Sequence, residues 1–194
     1  MPKSIERRIV AVSDLRATRA ADGPTKINGH AAKFDVMSDD LGGFRERIAP
    51  GAFAQTIKNN DIRALFNHDS NIVLGRNKAG TLRLSEDTAG LAFEVDAPDT
   101  QLVRDMVLAP IERGDVSQCS FGFFTLQDKW AKLDGEWVRT LLEVELFDVS
   151  PVTYPAYPQT DVAVRSLQEA INSATPPDES WRLVIARRRL ELTL

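Results

Sequence analysis

FGFFTLQDKW (residues 121–130) and WVRTLLEVELF (residues 137–147), with Asp134-Gly135 between them, are the stretch whose reading decides the fold. Both segments are rich in aromatic and aliphatic side chains. Asp-Gly is a favoured dipeptide where two central residues must adopt positive φ, so the spacing predicts an antiparallel hairpin with its tip at Asp134-Gly135. A strand turns successive side chains to opposite faces. Alternation therefore groups Ser120, Gly122 and Phe124 on one face, with Cys119, Phe121 and Phe123 on the other. On the second strand it groups Leu142, Val144, Leu146 and Asp148, leaving Glu143 and Glu145 opposite. Asp148 thus extends an apolar face, and a carboxylate there requires a hydrogen-bonding partner.

Outward from this hairpin, residues 27–34, 62–66, 81–84 and 90–96 also read as strands, punctuated by Gly, Asp and Asn. The pair 81–84 and 91–95 makes a second hairpin. Two helices interrupt the strands. In residues 51–58, Phe53 and Ile57 are four apart and face the core. In residues 100–109, Leu102, Val103, Met106 and Val107 form one stripe, Asp99 or Thr100 supplies the cap, and Pro110 ends or kinks the helix. Strands and helices do not alternate regularly. The expected class is α+β, mainly β: an antiparallel or barrel-like domain rather than a doubly wound sheet.

Residues 1–25 read as a loose arm or one exposed strand (8–12), closed by the turn signal Asp22-Gly23-Pro24. Residues 26–166 form the compact domain, and 167–194 a tail. The tail has a short helix near 166–174, a linker at Thr175-Pro176-Pro177-Asp178, and an Arg-bearing helical stretch at 181–194. That last stretch reads first as a solvated face and second as a docking segment.

Composition narrows the chemistry. The chain has 194 residues, 43% hydrophobic and 27% charged, and a net charge of -4, so nothing draws it globally to nucleic acid or anionic lipid. No window approaches the ~18 apolar residues of a membrane span, and no signal-peptide core is present. The single Cys119 leaves no disulfide framework. Two histidines, His30 and His68, lack metal-pair spacing, so neither a metal nor a cofactor is expected. Walker, Rossmann, HExxH and GxSxG patterns are all absent.

What stands out is polar residues beside strands. His68 follows the apolar run at 62–66, Ser120 opens a strand with a small Gly122 beside it, and Asp148 closes another. A serine hydroxyl needs a base near neutrality, histidine supplies one, and a carboxylate fixes the imidazole tautomer. From spacing alone each residue also has a plain structural reading: a strand-start serine, a core or surface histidine, a capping aspartate. Cys119 as nucleophile is disfavoured because it turns away from the face of Ser120.

At these residues the sequence strongly resembles the prohead (capsid maturation) serine proteases of tailed bacteriophages and related gene-transfer particles. The matching segments are Gly29-His30-Ala31-Ala32-Lys33-Phe34, FRERIAPGAF (44–53), Phe66-Asn67-His68-Asp69 followed by Leu74-Gly75, and Gly90-Leu91-Ala92-Phe93. Ser120-Phe121-Gly122-Phe123 and DVSPVTYPAY (148–157) complete the series, which spans about residues 27–164. The resemblance implies an antiparallel β-barrel with flanking helices, similar to herpesvirus assemblin proteases. It implies that Ser120 and His68 are catalytic, with Asp148 as the third member. Glu145 is the alternative, since a one-residue bulge would reverse the face assignment. His30 falls at a variable position and is read as structural. Backbone amides in the 150–156 loop are the candidate oxyanion donors.

The implied reaction is endoproteolysis of the scaffold, or of the capsid protein's N-terminal scaffolding segment, together with self-cleavage. It would take place inside the assembling prohead in the host bacterial cytoplasm. The implied partners are the major capsid protein and its scaffold, with a homo-oligomer left open and neither nucleic acid nor membrane. Two other readings stand beside it. One is a catalytically silent assembly protein of the same fold; the other is a hydrolase using carboxylates or a metal, with Ser120 structural.

Overall fold

In the computed structural model, which describes residues 5–11, 14–19, 23–154 and 161–174, the expected hairpin is the backbone of the molecule. Asp134 and Gly135 have φ of 49° and 88° and lie between the paired residues Leu133 and Glu136. This is the two-residue turn whose twist suits right-handed strands. The strands it joins, Gln118–Leu133 and Glu136–Val152, run well beyond their predicted ends.

In chain order the strands are β1 (Glu6–Ala11), β2 (Arg16–Thr18), β3 (Lys26–Lys33), β4 (Phe44–Ile48), β5 (Arg63–Phe66) and β6 (Asp69–Arg76). They continue with β7 (Leu82–Glu86), β8 (Gly90–Asp96) and the long pair β9 and β10. Two sheets result. One is ordered β1-β9-β10-β5-β6, with β4 also on β10; the other is ordered β2-β3-β8-β7. The expected single antiparallel barrel is therefore not what the described strands form. β4 and β5 both run parallel to β10, which makes the larger sheet mixed, and the end strands of each sheet do not pair to close it.

Both parallel strands lie on one edge of β10, β4 against Trp137–Leu141 and β5 against Asp148 and Val149. The helix α1 (Ala54–Asn59) and its entry fill the gap between them. The Val144 amide donates to the Ala52 carbonyl (3.1 Å) and the Leu146 amide to Thr56 Oγ1 (2.9 Å). Backbone donors on a buried edge need such partners. One core lies between the sheets, with Ile27, Leu91 and Val95 from the smaller and Phe121, Phe123, Leu146 and Val149 from the larger. Phe53 from the start of α1 meets Phe121 edge to face.

The helical run after residue 100 departs from expectation. Thr100 caps it as anticipated, its Oγ1 accepting from the Val103 amide. However, α2 (Gln101–Val103) passes through a π turn (Arg104–Leu108) into α3 (Ala109–Arg113). Pro110 therefore lies directly after the π turn, as the second residue of α3, and does not end the helical run. Of the expected stripe, Val103 and Val107 are buried, while Leu102 and Met106 are exposed.

The N-terminal stretch is a strand of the large sheet. β1 pairs with β9 from Glu6 opposite Phe123 to Ala11 opposite Gln118. Glu6 and Arg8 are buried, because charge pairing replaces apolar contact there: Arg8 binds both Glu6 and Glu46, and Arg139 binds Glu6, Glu46 and Asp128. At the other end α4 (Asp161–Ala174) sets Leu167 against the cluster of Leu41, Phe44, Trp130 and Trp137. Residues 155 and 156, the linker at 175–178 and the Arg-bearing stretch at 181–194 lie outside the described residues.

Candidate active site

Register brings three strands' worth of side chains to one place. Ser120 on β9 lies between Ile9 of β1 and Ser150 of β10, and Asp148 pairs with Gly122. Directly paired residues share a face. Ser120, Gly122, Asp148 and Ser150 therefore stand together on the face opposite Phe121, Phe123, Leu146 and Val149.

This corrects the alternation argument for Asp148. Leu146 pairs with Phe123 and Asp148 with Gly122, so Phe147 is one residue too many for its partner strand. The bulge lies after Glu145, and it transfers Asp148 from the apolar face of Leu146 to the face of Ser120. Glu145, the alternative carboxylate, pairs with Phe124 further along and accepts from Asn60 Nδ2 at 3.1 Å.

His68 arrives from the other side. Phe66 pairs with Asp69, so Asn67 and His68 form a two-residue hairpin turn, with φ of 54° and 57°. Asn and His are among the few non-glycine residues that tolerate this region. The turn is clamped to the end of β10. The Asn67 amide donates to the Pro151 carbonyl (3.0 Å), Asn67 Nδ2 donates to Thr153 Oγ1 (3.1 Å), and the Thr153 amide returns to Asn67 Oδ1 (2.8 Å). The candidate oxyanion donors at 150–156 are therefore not one loop: Ser150 to Val152 belong to β10, Pro151 has no N–H, the Thr153 amide is taken by Asn67, and residues 155 and 156 lie outside the described residues.

The imidazole so placed joins the other two. His68 Nδ1 lies 2.6 Å from Asp148 Oδ2, and Nε2 lies 2.7 Å from Ser120 Oγ. An ionised carboxylate only accepts, so Nδ1 carries the proton and Nε2 is left to accept from the Ser120 hydroxyl. Asp148 Oδ2 also receives the Ser150 hydroxyl at 2.6 Å. Ser120 and Ser150 are both fully buried. Of the sequence candidates, Ser120, His68 and Asp148 are brought into one hydrogen-bonded chain, and Glu145 is not.

The space that the small Gly122 leaves beside Ser120 is filled by Asp148. A Cβ built on Gly122 would lie 2.5 Å from Asp148 Oδ1. Gly122→Ala is therefore expected to push the carboxylate off His68 and Ser150 and to lower kcat/KM by roughly 10²-fold, the scale of an ångström's misplacement. Peptide turnover measured beside an unchanged far-ultraviolet circular dichroism spectrum checks this; near-normal turnover would mean the carboxylate's position is not needed.

The remaining titratable candidates behave differently. Cys119 is buried on the opposite face, and burial pushes its thiol well above the ordinary range. His30 has both ring nitrogens taken, Nδ1 by Asp14 and Nε2 by Asp87 at 2.9 Å. Burial opposes its charge, but the bonds to the two carboxylates outweigh this and raise its pKa; the bond to His30, with the amides of Ala89 and Gly90, holds Asp87 down at about 2. With no free nitrogen it has nowhere to take a substrate proton. Among the described residues no three His, Cys, Asp or Glu side chains gather to hold a metal ion.

Two site residues were not singled out from sequence. Asn67 stands in the matched segment, but Asn-His is a weaker turn signal than Asn-Gly. Ser150 lies two residues beyond Asp148, so alternation alone puts both on one face. That signal was available.

A family model described as the caudovirus prohead serine protease matches residues 13–173. Among solved structures, the capsid assembly protease gp21 of bacteriophage T4 is similar at 10% sequence identity with a TM-score of 0.47. The match covers 78% of this chain and 98% of that one. No curated protein sequence matches the chain significantly.

Proposed function

The chain belongs to the caudovirus prohead serine protease family, and from that premise we propose that Ser120, His68 and Asp148 are its nucleophile, general base and orienting acid. The observation that carries this reading is the continuous hydrogen-bonded chain Ser120 Oγ–His68–Asp148. As Oγ attacks a peptide carbonyl, His68 Nε2 takes its proton, and Asp148 stabilises the imidazolium across Nδ1. The proton then passes to the departing amine, leaving an acyl-Ser120. His68 activates the water that releases the new carboxyl terminus.

The substrate we propose is the scaffold or the N-terminal scaffolding segment of the capsid protein, cut inside the assembling prohead. Self-cleavage in the tail belongs to the same proposal; the boundary expected near residue 166 falls inside α4, whose Leu167 packs on the Phe44 cluster. On the N-terminal side, β1 and β2 pair within the two sheets. A likeness of the fold to herpesvirus assemblin proteases belongs to the same proposal.

Coexpression with the capsid protein tests the reading. The wild-type chain is expected to shorten the capsid protein and Ser120→Ala to leave it at full length. A fluorophosphonate probe should label Ser120, located by mass spectrometry of the tryptic peptide. Cleavage that survives Ser120→Ala would remove the serine mechanism. A wild-type chain that neither cleaves nor labels would be a silent assembly protein of the same fold.

A further inference from the structure

We infer that Ser150 is a positioning residue of the reaction: its hydroxyl holds Asp148 in the rotamer that His68 requires. The inference rests on the assignment of Ser120, His68 and Asp148 above. Ser150 sits directly across from Ser120 on the neighbouring strand, on the face that carries the three reacting groups. Its Oγ donates to Asp148 Oδ2 at 2.6 Å, the same oxygen that accepts from His68 Nδ1 at 2.6 Å.

A hydroxyl has one proton to give, and here it goes to the carboxylate. The geometry leaves Asp148 little alternative. Its other oxygen, Oδ1, lies over Gly122 so closely that even a methyl group there would collide. One oxygen thus carries both donors while the other rests against bare backbone, and the carboxyl plane is fixed from two directions. Ser150 has no exposed surface, so no bulk water stands ready to take over its bond if the hydroxyl is removed.

The bulge makes this support necessary. On a regular strand, neighbours two apart would brace a side chain from both sides. At Asp148 the residue before it, Phe147, is the extra one of the bulge, and it turns to the same face to meet Phe124 edge to face at 4.6 Å. Ser150 is the nearest side chain along β10 in regular register, and the one that binds the carboxylate.

Ser150→Ala is expected to lower kcat about 10-fold to 100-fold, with KM within about twofold, because the carboxylate and not the peptide site is disturbed. The far-downfield proton resonance of the His68 Nδ1–H···Asp148 bond should shift or broaden in the same variant. Ser150→Thr, which keeps the hydroxyl, should recover both. Three results would overturn the inference. The first is wild-type kcat in Ser150→Ala while Ser120→Ala is inactive, which leaves the triad intact. The second is a loss of activity with the His68 resonance unchanged, which reduces Ser150 to a folding role. The third is fluorophosphonate labelling on Ser150 instead of Ser120. An active Ser120→Ala would instead defeat the triad assignment itself.

Discussion

His68→Ala is expected to lower kcat/KM on a capsid-derived peptide by about 10⁴-fold to 10⁶-fold, the range found when a triad base is removed. His68 Nε2, 2.7 Å from Oγ, is the group placed to take the Ser120 proton, and without it the hydroxyl must attack in its unreactive neutral form. His30 cannot substitute, since both of its nitrogens are bound by carboxylates. Asp148→Asn is expected to cost roughly 10⁴-fold by another route: an amide can donate to Nδ1 and so favour the tautomer with the proton on Nε2. Single-turnover kinetics with a fluorogenic peptide, beside the rate of fluorophosphonate labelling, measures both variants. Activity within tenfold of wild type in His68→Ala would exclude histidine as the base. Because His68 holds φ of 57°, the alanine variant also bears some backbone strain, so a His68→Asn control tests the same loss of base with a residue that tolerates the turn.

What the sequence made legible, and what it hid, follows from which force placed each residue. The long hairpin was readable because Asp134-Gly135 states its own backbone geometry. The faces of β9 were readable because strict alternation holds from Ser120 to Phe124. Asp148 was identified as a residue in need of a partner, but assigned to the wrong face. Alternation cannot register the extra Phe147, since a bulge is fixed by pairing with another strand and not by local composition. β4 and the start of β1, Glu6 and Arg7, lie outside the expected strands for a different reason. FRERI carries Glu46 and β1 opens on Glu6 at positions that are buried, and hydropathy reads a buried ion pair as solvent-facing. β6 is absent from the expected strands: it opens with the polar residues Asp69, Ser70 and Asn71, where pairing to β5 is irregular. The stripe of Leu102 to Val107 was drawn too wide: only the i,i+4 pair Val103 and Val107 is buried, and Leu102 and Met106, one residue before each, face solvent.

The same buried charges carry the largest expected effect on stability. Arg139→Met is expected to destabilise the fold by about 3–5 kcal/mol, a large share of the roughly 5–15 kcal/mol that holds a domain together. Arg139 donates to Glu6 at 2.8 Å, to Glu46 at 3.2 Å and to Asp128 at 2.7 Å, and its side chain is 3% exposed. Removing it leaves Glu6 and Glu46 facing each other with Arg8 alone between them, out of reach of water. A urea titration should show the midpoint falling with the slope unchanged; a loss under about 1 kcal/mol would mean the network relaxes around the gap. The acid limb gives an independent sign. Burial alone would raise the pKa of Glu6, but Arg139 and Arg8 outweigh it and hold the carboxyl below its ordinary value of 4.5. Its contribution is therefore fully present above about 4.5 and is lost as pH falls through the depressed value. Wild type should lose stability on acidification below 4.5 more steeply than Arg139→Met, in which the chief cause of that depression is gone. The consequence reaches the catalytic face, because β1 is the strand these charges anchor, and its Ile9 lies directly beside Ser120. In Arg139→Met, amide exchange in β1 should therefore rise before that of β10, and fluorophosphonate labelling of Ser120 should change with it.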